Sequence, residues 1–243
     1  MAPLMGKRVV IVGGSSGIGL GVASAAVKAG AQVVIVGRSM ERLKAARETL
    51  AAEDRVTALA ADMTQEREIA RLFDAVGAFD HLVSTAGSPP PGDPIDQTDI
   101  DVVRDFIENK FVGAVLLAKH AARRLTRGGS MTFTSGINKD KPPVPGGAVV
   151  AAIAGSFSYL AHALSLELAP TRVNVVSPGW VDTPMFDALA GEAKAGYFDG
   201  MAARLPVGRI ATPADIAPAY IHTMESDFTT GQTLHIDGGQ SLL

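Results

Sequence analysis

The stretch that decides the fold is Lys7-Arg8-Val9-Val10-Ile11-Val12-Gly13-Gly14-Ser15-Ser16-Gly17-Ile18-Gly19-Leu20-Gly21. A short apolar run ends in a cluster of glycines, and a helical pattern follows directly. Gly13 lets the chain turn sharply out of the strand, Gly17 lets the backbone approach a pyrophosphate, and Gly19 lets the helix pack closely on the strand. The helix N-terminus offers N–H groups and a positive dipole end to phosphates. The stretch predicts a nucleotide site, and a turn without a ligand is the alternative.

The spacing of these glycines, Gly13-x-x-x-Gly17-x-Gly19, resembles that of the short-chain dehydrogenase/reductase family, with Val12 in place of the usual Thr. The resemblance implies a doubly wound (Rossmann) α/β fold with a parallel seven-stranded sheet and helices on both faces. It also implies that the turn binds a dinucleotide. The turn residues that we expect to contact this cofactor are Gly13, Ser15, Ser16, Gly17, Ile18 and Gly19.

Composition bounds the function class. A chain of 243 residues with 47% hydrophobic residues predicts one α/β domain over residues 1–243. The net charge of −3 argues against nucleic acid as a partner. The chain has no cysteine, which excludes thiol catalysis and disulfides, and its five histidines show no metal-ligand spacing. The first residues lack a signal-peptide pattern and Val9–Val12 is too short to span a membrane, so we expect a cytoplasmic protein without a membrane partner.

Apolar runs and helical patterns alternate along the chain, as a parallel sheet requires. We predict strands at Val9–Val12, Gln32–Val36, Val56–Ala60, Phe79–Val83 and Ser130–Thr134, a further one in the segment that begins at Arg172, and the last in Thr229–Ile236. The predicted helices include Leu20–Ala29, Met40–Leu50, Thr64–Gly77 and Ile95–Thr126.

The residues after the second strand determine whether such a site prefers NAD or NADP. An acidic side chain there would bind the ribose hydroxyl of NAD, whereas a basic one accepts the 2′-phosphate of NADP. Here Gly37 leaves space, Arg38 offers a guanidinium and Ser39 adds a hydroxyl. We therefore expect NADP(H) to be preferred, with NAD(H) possible; a solvated Arg38 is the alternative.

The family resemblance continues at three further segments. Asp62-Met63 follows the third strand, where an acidic residue contacts adenine in the family; a helix N-cap is the other role open to Asp62. Ser84-Thr85-Ala86-Gly87 stands where the family has Asn-Asn-Ala-Gly, and Ser177–Pro184 matches its nicotinamide segment. The cofactor contacts implied outside the glycine turn are Arg38, Ser39, Asp62, Met63, Ala86, Gly87, Pro178, Gly179, Val181 and Thr183.

Two residues are catalytic candidates by the same resemblance. Ser135 follows the fifth strand, at the carboxyl end where open α/β sheets bind ligands, and its hydroxyl would polarise a substrate carbonyl. Asn109, in Asn109-Lys110-Phe111-Val112-Gly113, would be the family's Asn on a locally bent helix beside an ordered water. A plain polar helix residue is the alternative for Asn109.

The family's Tyr-x-x-x-Lys pair is missing. The match over Ala163–Gly179 fixes the register and places Val150 at the Tyr position and Ala154 at the Lys position. Tyr159 lies nine residues beyond Val150, roughly 13 Å along a helix, and His162 is further still. The loop lysines Lys139 and Lys141 could supply charge, although solvated loop residues are the alternative.

These patterns support two functions. The first is an NADP(H)-dependent oxidoreductase acting on a small carbonyl or alcohol substrate. The second is a catalytically inactive NADP(H)-binding sensor or oligomer partner, and a scaffold without nucleotide is a remote third. The final strand is an edge strand that the family pairs between subunits, so we expect a homodimer or homotetramer. A helical segment at about 184–205 would cover the substrate, with apolar side chains at Met185, Phe186, Leu189, Tyr197, Phe198 and Met201.

Overall fold

Seven parallel strands form one sheet in the order β3-β2-β1-β4-β5-β6-β7. The computed structural model describes residues 3–87, 89–90 and 92–243, without the side chains of residues 188–190. The strands are β1 (Arg8–Val12), β2 (Gln32–Gly37), β3 (Val56–Ala60), β4 (Phe79–Ser84), β5 (Leu125–Thr134), β6 (Arg172–Pro178) and β7 (Thr233–Ile236). The strand order reverses between β1 and β4, where such sheets form a ligand crevice. The predicted doubly wound sheet is confirmed.

Helices cover both faces of the sheet. They are α1 (Gly17–Lys28), α2 (Met40–Leu50), α3 (Glu66–Val76), α4 (Ile100–Ile107), α5 (Gly113–Ala121), α6 (Ala148–Glu167), α7 (Pro184–Ala190), α8 (Lys194–Ala202) and α9 (Pro213–Glu225). Successive strand residues point to opposite faces. Val9 and Ile11 therefore pack with α1, α2 and α9, while Val10 and Val12 pack with α3, α5 and α6.

The helix predicted over Ile95–Thr126 is broken into several pieces. A 3₁₀ turn covers Ile95–Gln97, and α4 starts after Asp99, whose carboxylate accepts from the N–H of Asp101 at 2.8 Å. A π-helical segment, Glu108–Val112, then joins α4 to α5. Each interruption has a local cause. Asp99 caps the start of α4, and the π-helical turn takes one extra residue, which offsets the helical repeat.

The ends of two strands also differ from the prediction. Strand β5 begins at Leu125 rather than Ser130, because Gly129 lets it pass close to the Asp80 carbonyl. Strand β7 begins at Thr233 rather than Thr229. The hydroxyl of Thr230 instead accepts from the Val173 N–H at 3.1 Å, so the residues before β7 form a connection.

Helix α6 is unusually apolar. It is long and apolar enough to cross a membrane by length and composition, and 17% of its most apolar window is buried. It packs on the sheet through Phe157 and Ala161, while Tyr159 and Leu166 are exposed. A helix that packs on a parallel sheet can have the same length and apolar composition. These two properties of α6 therefore do not by themselves indicate a membrane span.

Candidate functional site

The turn between β1 and α1 has the tight geometry that its glycines predict. Gly13 has φ 87°, a left-handed conformation that side chains rarely adopt. A Cβ atom on Gly19 would lie 2.2 Å from the carbonyl oxygen of Gly13. Helix α1 thus begins in direct contact with the turn, and larger residues do not fit at this position.

The same turn presents a set of backbone N–H donors. Within the described residues, the backbone N–H groups of residues 15–19 donate to no acceptor, and Ser16 caps α1 without a side-chain hydrogen bond. The first turn of α1 contains no acidic residue. Free N–H groups at a helix N-terminus bind phosphate oxygens. These groups fit the pyrophosphate of a dinucleotide.

Two threonine hydroxyls connect the strands beside the turn. The Thr85 hydroxyl donates to the carbonyl of Val12 at 3.2 Å, and the Thr134 hydroxyl donates to the carbonyl of Ser84 at 2.7 Å. The backbone N–H of Thr85 also donates to Val12, at 2.9 Å. Thr85, at one of the family's two Asn positions as the resemblance has it, thus connects β4 to β1, and Thr134 connects β5 to β4.

The end of β2 places the residues predicted to select the cofactor. A Cβ on Gly37 would lie 3.6 Å from the hydroxyl oxygen of Ser15, so the phosphate turn and the end of β2 adjoin. The Ser39 hydroxyl accepts from the N–H of Arg42 at 3.3 Å and caps α2. Arg38 is exposed and makes no hydrogen bond to another described residue. Its guanidinium can therefore reach a ligand at this edge.

Asp62 occupies the position after β3 and shapes the loop there. Its carboxylate accepts from both the N–H and the hydroxyl of Thr64 at 2.9 Å. Helix α3 begins only at Glu66, so Asp62 caps a turn that precedes the helix rather than the helix itself. The buried side chain of Met63 packs against Gly113 at the start of α5.

The predicted nicotinamide segment lies directly beside the phosphate turn. A Cβ on Gly17 would be 3.3 Å from the side chain of Thr183. Val181 pairs with Ala211 through the N–H of Asp182 and the carbonyl of Trp180, so the peptide groups of Val181 itself face the other way. Pro178 ends β6, and the N–H of Gly179 donates to Ile236 at 3.0 Å.

A small pocket lies between the end of β5 and α6. The Ser135 hydroxyl donates to the carbonyl of Ala154 at 2.7 Å, and Val150 and Ala154 are both buried. The other described residues that line this pocket are Gly87, Pro89, Phe106, Lys110, Gly136, Asn138 and Ile153. The pocket thus brings together Ser135, Gly87 and the two residues, Val150 and Ala154, to which the sequence analysis assigned the Tyr and Lys positions.

The π-helical segment brings Lys110, rather than Asn109, into this pocket. The Asn109 side chain donates to the carbonyl of Asp105 at 2.8 Å on the outer side of the helix. The Lys110 side chain is buried, and its Nζ donates to the carbonyl of Ala86 at 2.9 Å. The sequence held a signal for Lys110 in its spacing. In the motif that the segment resembles, the Asn stands three residues before the Gly, and here it is Lys110 that stands three residues before Gly113.

The other ionisable groups considered as substitutes lie elsewhere. Lys139 pairs with Asp140, and its Nζ lies 2.9 Å from the His235 ring nitrogen. Lys141 donates to the backbone of Leu243. Tyr159 and His162 are exposed on α6. None of these side chains is among the described residues that line the pocket.

Helices α7 and α8 are tied to the nicotinamide segment. The Lys194 ammonium lies 2.6 Å from the carboxylates of both Asp182 and Asp187, and these two carboxylates raise the pKa of Lys194. The ring of Phe186 packs edge-on against Phe198, with centroids 5.2 Å apart. The side chain of Leu189 lies outside the described part. These contacts position both helices beside Thr183.

Comparison with known proteins identifies the family. A family model described as enoyl-(acyl carrier protein) reductase matches residues 12–241. The short-chain dehydrogenase/reductase ucsE of Acremonium sp is 36% identical and covers 96% of this chain and 94% of its own length. The chain belongs to the short-chain dehydrogenase/reductase family. It is accordingly an oxidoreductase of that family, and the family expectation from the glycine spacing is confirmed.

Two solved members of the short-chain dehydrogenase/reductase family have the same fold. The MalC reductase/Diels-Alderase from Malbranchea aurantiaca superimposes with a TM-score of 0.91 at 30% identity, covering 100% of this chain and 99% of its own. A small-chain dehydrogenase in complex with NADPH has a TM-score of 0.81 at 31% identity, with 98% and 99% coverage. One solved relative with this fold therefore binds NADPH.

Proposed function

We propose that this protein is an NADP(H)-dependent oxidoreductase that interconverts a small carbonyl compound and its alcohol. The observation that carries the proposal is that the phosphate turn, Thr183 and the Ser135 pocket all lie at the carboxyl ends of the strands. The open phosphate turn adjoins Thr183, and the pocket at Ser135 opens at the ends of the neighbouring strands β4 and β5. A bound nicotinamide supplies the hydride in such a reaction.

The end of β2 supports a preference for NADP(H) over NAD(H). Arg38 supplies a planar guanidinium suited to a 2′-phosphate, and the hydroxyl of Ser15 adjoins the same edge. Neither Arg38 nor Ser39 is acidic, and a carboxylate at this edge would repel the phosphate.

Ser135 is the group that we propose to polarise the substrate carbonyl. Its hydroxyl now donates to Ala154, a bond that a substrate oxygen can replace at little cost because one acceptor is exchanged for another. The apolar faces of Val150 and Ile153 make the rest of the pocket suited to a small, mostly apolar compound.

We further propose a cytoplasmic homodimer or homotetramer. The outer face of α6 exposes Tyr159 at 82% and Leu166 at 73%, and one edge of β7 pairs with no other strand of the described residues. An apolar helix face beside an open sheet edge is a surface that a second copy of the chain can cover. Sedimentation of the wild type and of Tyr159→Lys tests this, and a wild-type monomer would contradict it.

A catalytically inactive cofactor sensor or oligomer partner is the second candidate. It is favoured by the apolar residues Val150 and Ala154 at the positions that we assign to the family's Tyr and Lys. On this account the wild type has no turnover, and Val150→Tyr with Ala154→Lys creates activity. Wild-type turnover that is lost in Ser135→Ala would exclude this candidate.

Isotope transfer decides between the two. NADPH that carries deuterium at its transferable position is incubated with the protein and a mixture of carbonyl compounds, and products are analysed by mass spectrometry. The oxidoreductase proposal predicts deuterium on the carbinol carbon of at least one alcohol. Bound NADPH with no labelled product across aldehydes, ketones and quinones would favour the sensor.

A further inference from the structure

The pocket beside Ser135 contains one titratable side chain among its described residues, and that side chain is Lys110. Val150 and Ala154 carry no proton that could be transferred. A carbonyl that accepts a hydride also needs a proton on its oxygen, so the reaction proposed above lacks a donor at these two positions. Lys110 is the group in the pocket that can fill this role.

The chain around Lys110 is arranged to hold its side chain inside. The π-helical segment Glu108–Val112 turns Lys110 inward, and a Cβ on Gly87 would lie 2.7 Å from the Lys110 Cδ atom. Glycine at position 87 thus leaves the volume that the lysine stem occupies. The family's Ala-Gly pair here serves this lysine as well as the cofactor.

The ammonium group has neutral surroundings. Its Nζ donates to the carbonyl of Ala86 at 2.9 Å and lies 5.4 Å from the ring centroid of Phe157. The described groups that face it from α4, α6 and the segment after β4 are Phe106, Phe157 and Ala86–Gly87, all uncharged. A lysine ammonium has three N–H donors, and one is engaged within the described residues, so donors remain for a ligand.

Burial also changes the acidity of this group. Removal of Lys110 from water lowers its pKa to about 8, since the charged form loses its hydration. Efficient general acids have a pKa close to the working pH. An ordinary exposed lysine holds its proton too tightly for this task, whereas Lys110 can release and regain a proton near neutral pH.

We propose that Lys110 is the proton donor of this enzyme, in place of a tyrosine. The inference rests on the oxidoreductase function proposed above. In reduction, one N–H bond of the Lys110 ammonium breaks and an O–H bond forms on the carbonyl oxygen as its carbon receives hydride from the reduced nicotinamide. The carbonyl is reduced and the nicotinamide oxidised, and neutral Lys110 then regains a proton from water. In the reverse direction the neutral amine accepts the alcohol proton.

The sign of the pH dependence follows from these steps. Reduction needs protonated Lys110, so its kcat falls as pH rises through about 8. Oxidation needs the neutral amine and rises over the same range. Lys110→Met removes the donor at similar volume and should lower kcat by about 10²–10⁴-fold, with NADPH affinity unchanged within about threefold. Lys110→Arg keeps the charge, but an arginine does not release its proton in this pH range. In this variant the fall of kcat above pH 8, the alkaline break, should therefore be absent.

The test combines these kinetics with a measurement that needs no turnover. Competitive acetylation by acetic anhydride at a series of pH values, read by peptide mass spectrometry, gives the titration midpoint of Lys110 in the cofactor-free protein, with exposed Lys44 as internal comparison. We expect a midpoint near 8. Lys119→Met, an outward-facing lysine on α5, is the matched control and should keep wild-type kcat.

The outcomes separate this inference from the proposed function. Deuterium transfer by the wild type together with full activity and an unchanged pH profile in Lys110→Met would overturn the role of Lys110 alone. A tenfold loss of NADPH affinity with the alkaline break retained would also overturn it, because Lys110 would then hold cofactor. If the wild type transfers no deuterium, both proposals fail. If Lys110→Met does not fold, Lys110→Arg and the acetylation midpoint decide.

Discussion

The phosphate turn and the pocket beside Ser135 are built in opposite ways. The turn is built from backbone: Gly13 and Gly19 supply its conformation and close approach, and we propose that its free N–H groups bind the cofactor. The pocket is lined by side chains, and those that we propose to act are Ser135 and Lys110, which lie against an apolar wall. A backbone site tolerates no change at its glycines, whereas the pocket keeps its shape when one functional side chain replaces another. Binding of the cofactor and proton transfer can therefore diverge separately on one fold.

The largest change in cofactor binding is expected at Gly19. In Gly19→Ala the added Cβ would lie 2.2 Å from the Gly13 oxygen, so the turn must open. Overpacking of this kind costs about 1–3 kcal/mol of unfolding free energy, and displaced N–H groups should weaken NADPH binding by roughly 100-fold or more. Calorimetric titration and thermal denaturation measure both.

A matched glycine provides the control. A Cβ on Gly200, in α8, meets no heavy atom within 4 Å, so Gly200→Ala should leave NADPH affinity unchanged. Equal NADPH affinities for Gly19→Ala and the wild type would show that the turn does not hold the cofactor. The proposed difference between the phosphate turn and the Ser135 pocket would then be wrong.

Ser135→Ala tests the pocket without altering the turn. Loss of one donor to a developing oxyanion costs about 10²-fold in kcat, and NADPH affinity should stay within about threefold. Ser156→Ala is the matched control, since the Ser156 hydroxyl also donates to a carbonyl of α6, that of Ile153, at 2.7 Å. Similar rates for the two variants would remove Ser135 from the reaction.

Arg38→Ala should have the smallest effect on binding or rate, and it tests whether Arg38 contacts the 2′-phosphate. Loss of a charge-assisted contact to the 2′-phosphate is expected to raise the Kd for NADPH about tenfold and to leave that for NADH unchanged. Arg123→Ala, an exposed arginine between α5 and β5, should alter neither value. An equal loss for both cofactors would place Arg38 outside the phosphate site.

Much of the fold could be predicted because it depends on local pattern. Helix α2 has the predicted bounds Met40–Leu50, with Ser39 at its N-cap and Leu43 and Ala46 buried. Strand β3 also matches its prediction, Val56–Ala60. In these elements the residue types, the spacing of the apolar residues and the residues at the element's ends all favour the same secondary structure, so it can be predicted locally.

The pocket could not be predicted to the same degree. The inward turn of Lys110 depends on one extra residue in a π-helical turn, which the helical pattern over Ile95–Thr126 does not reveal. Its burial depends on Gly87 and Phe157, which are distant in sequence. A lysine in a helical pattern is usually solvated. The spacing of Lys110 to Gly113 marks the position in the sequence, but the burial of its side chain is a result of tertiary packing.

The central claim is that the backbone turn binds the cofactor independently of the proton donor in the pocket. Parallel calorimetric titration of NADPH into the wild type and Lys110→Met tests it most directly. We predict micromolar Kd values that agree within about threefold. No binding to the wild type below millimolar NADPH, or a Kd raised tenfold or more in Lys110→Met, would contradict the claim.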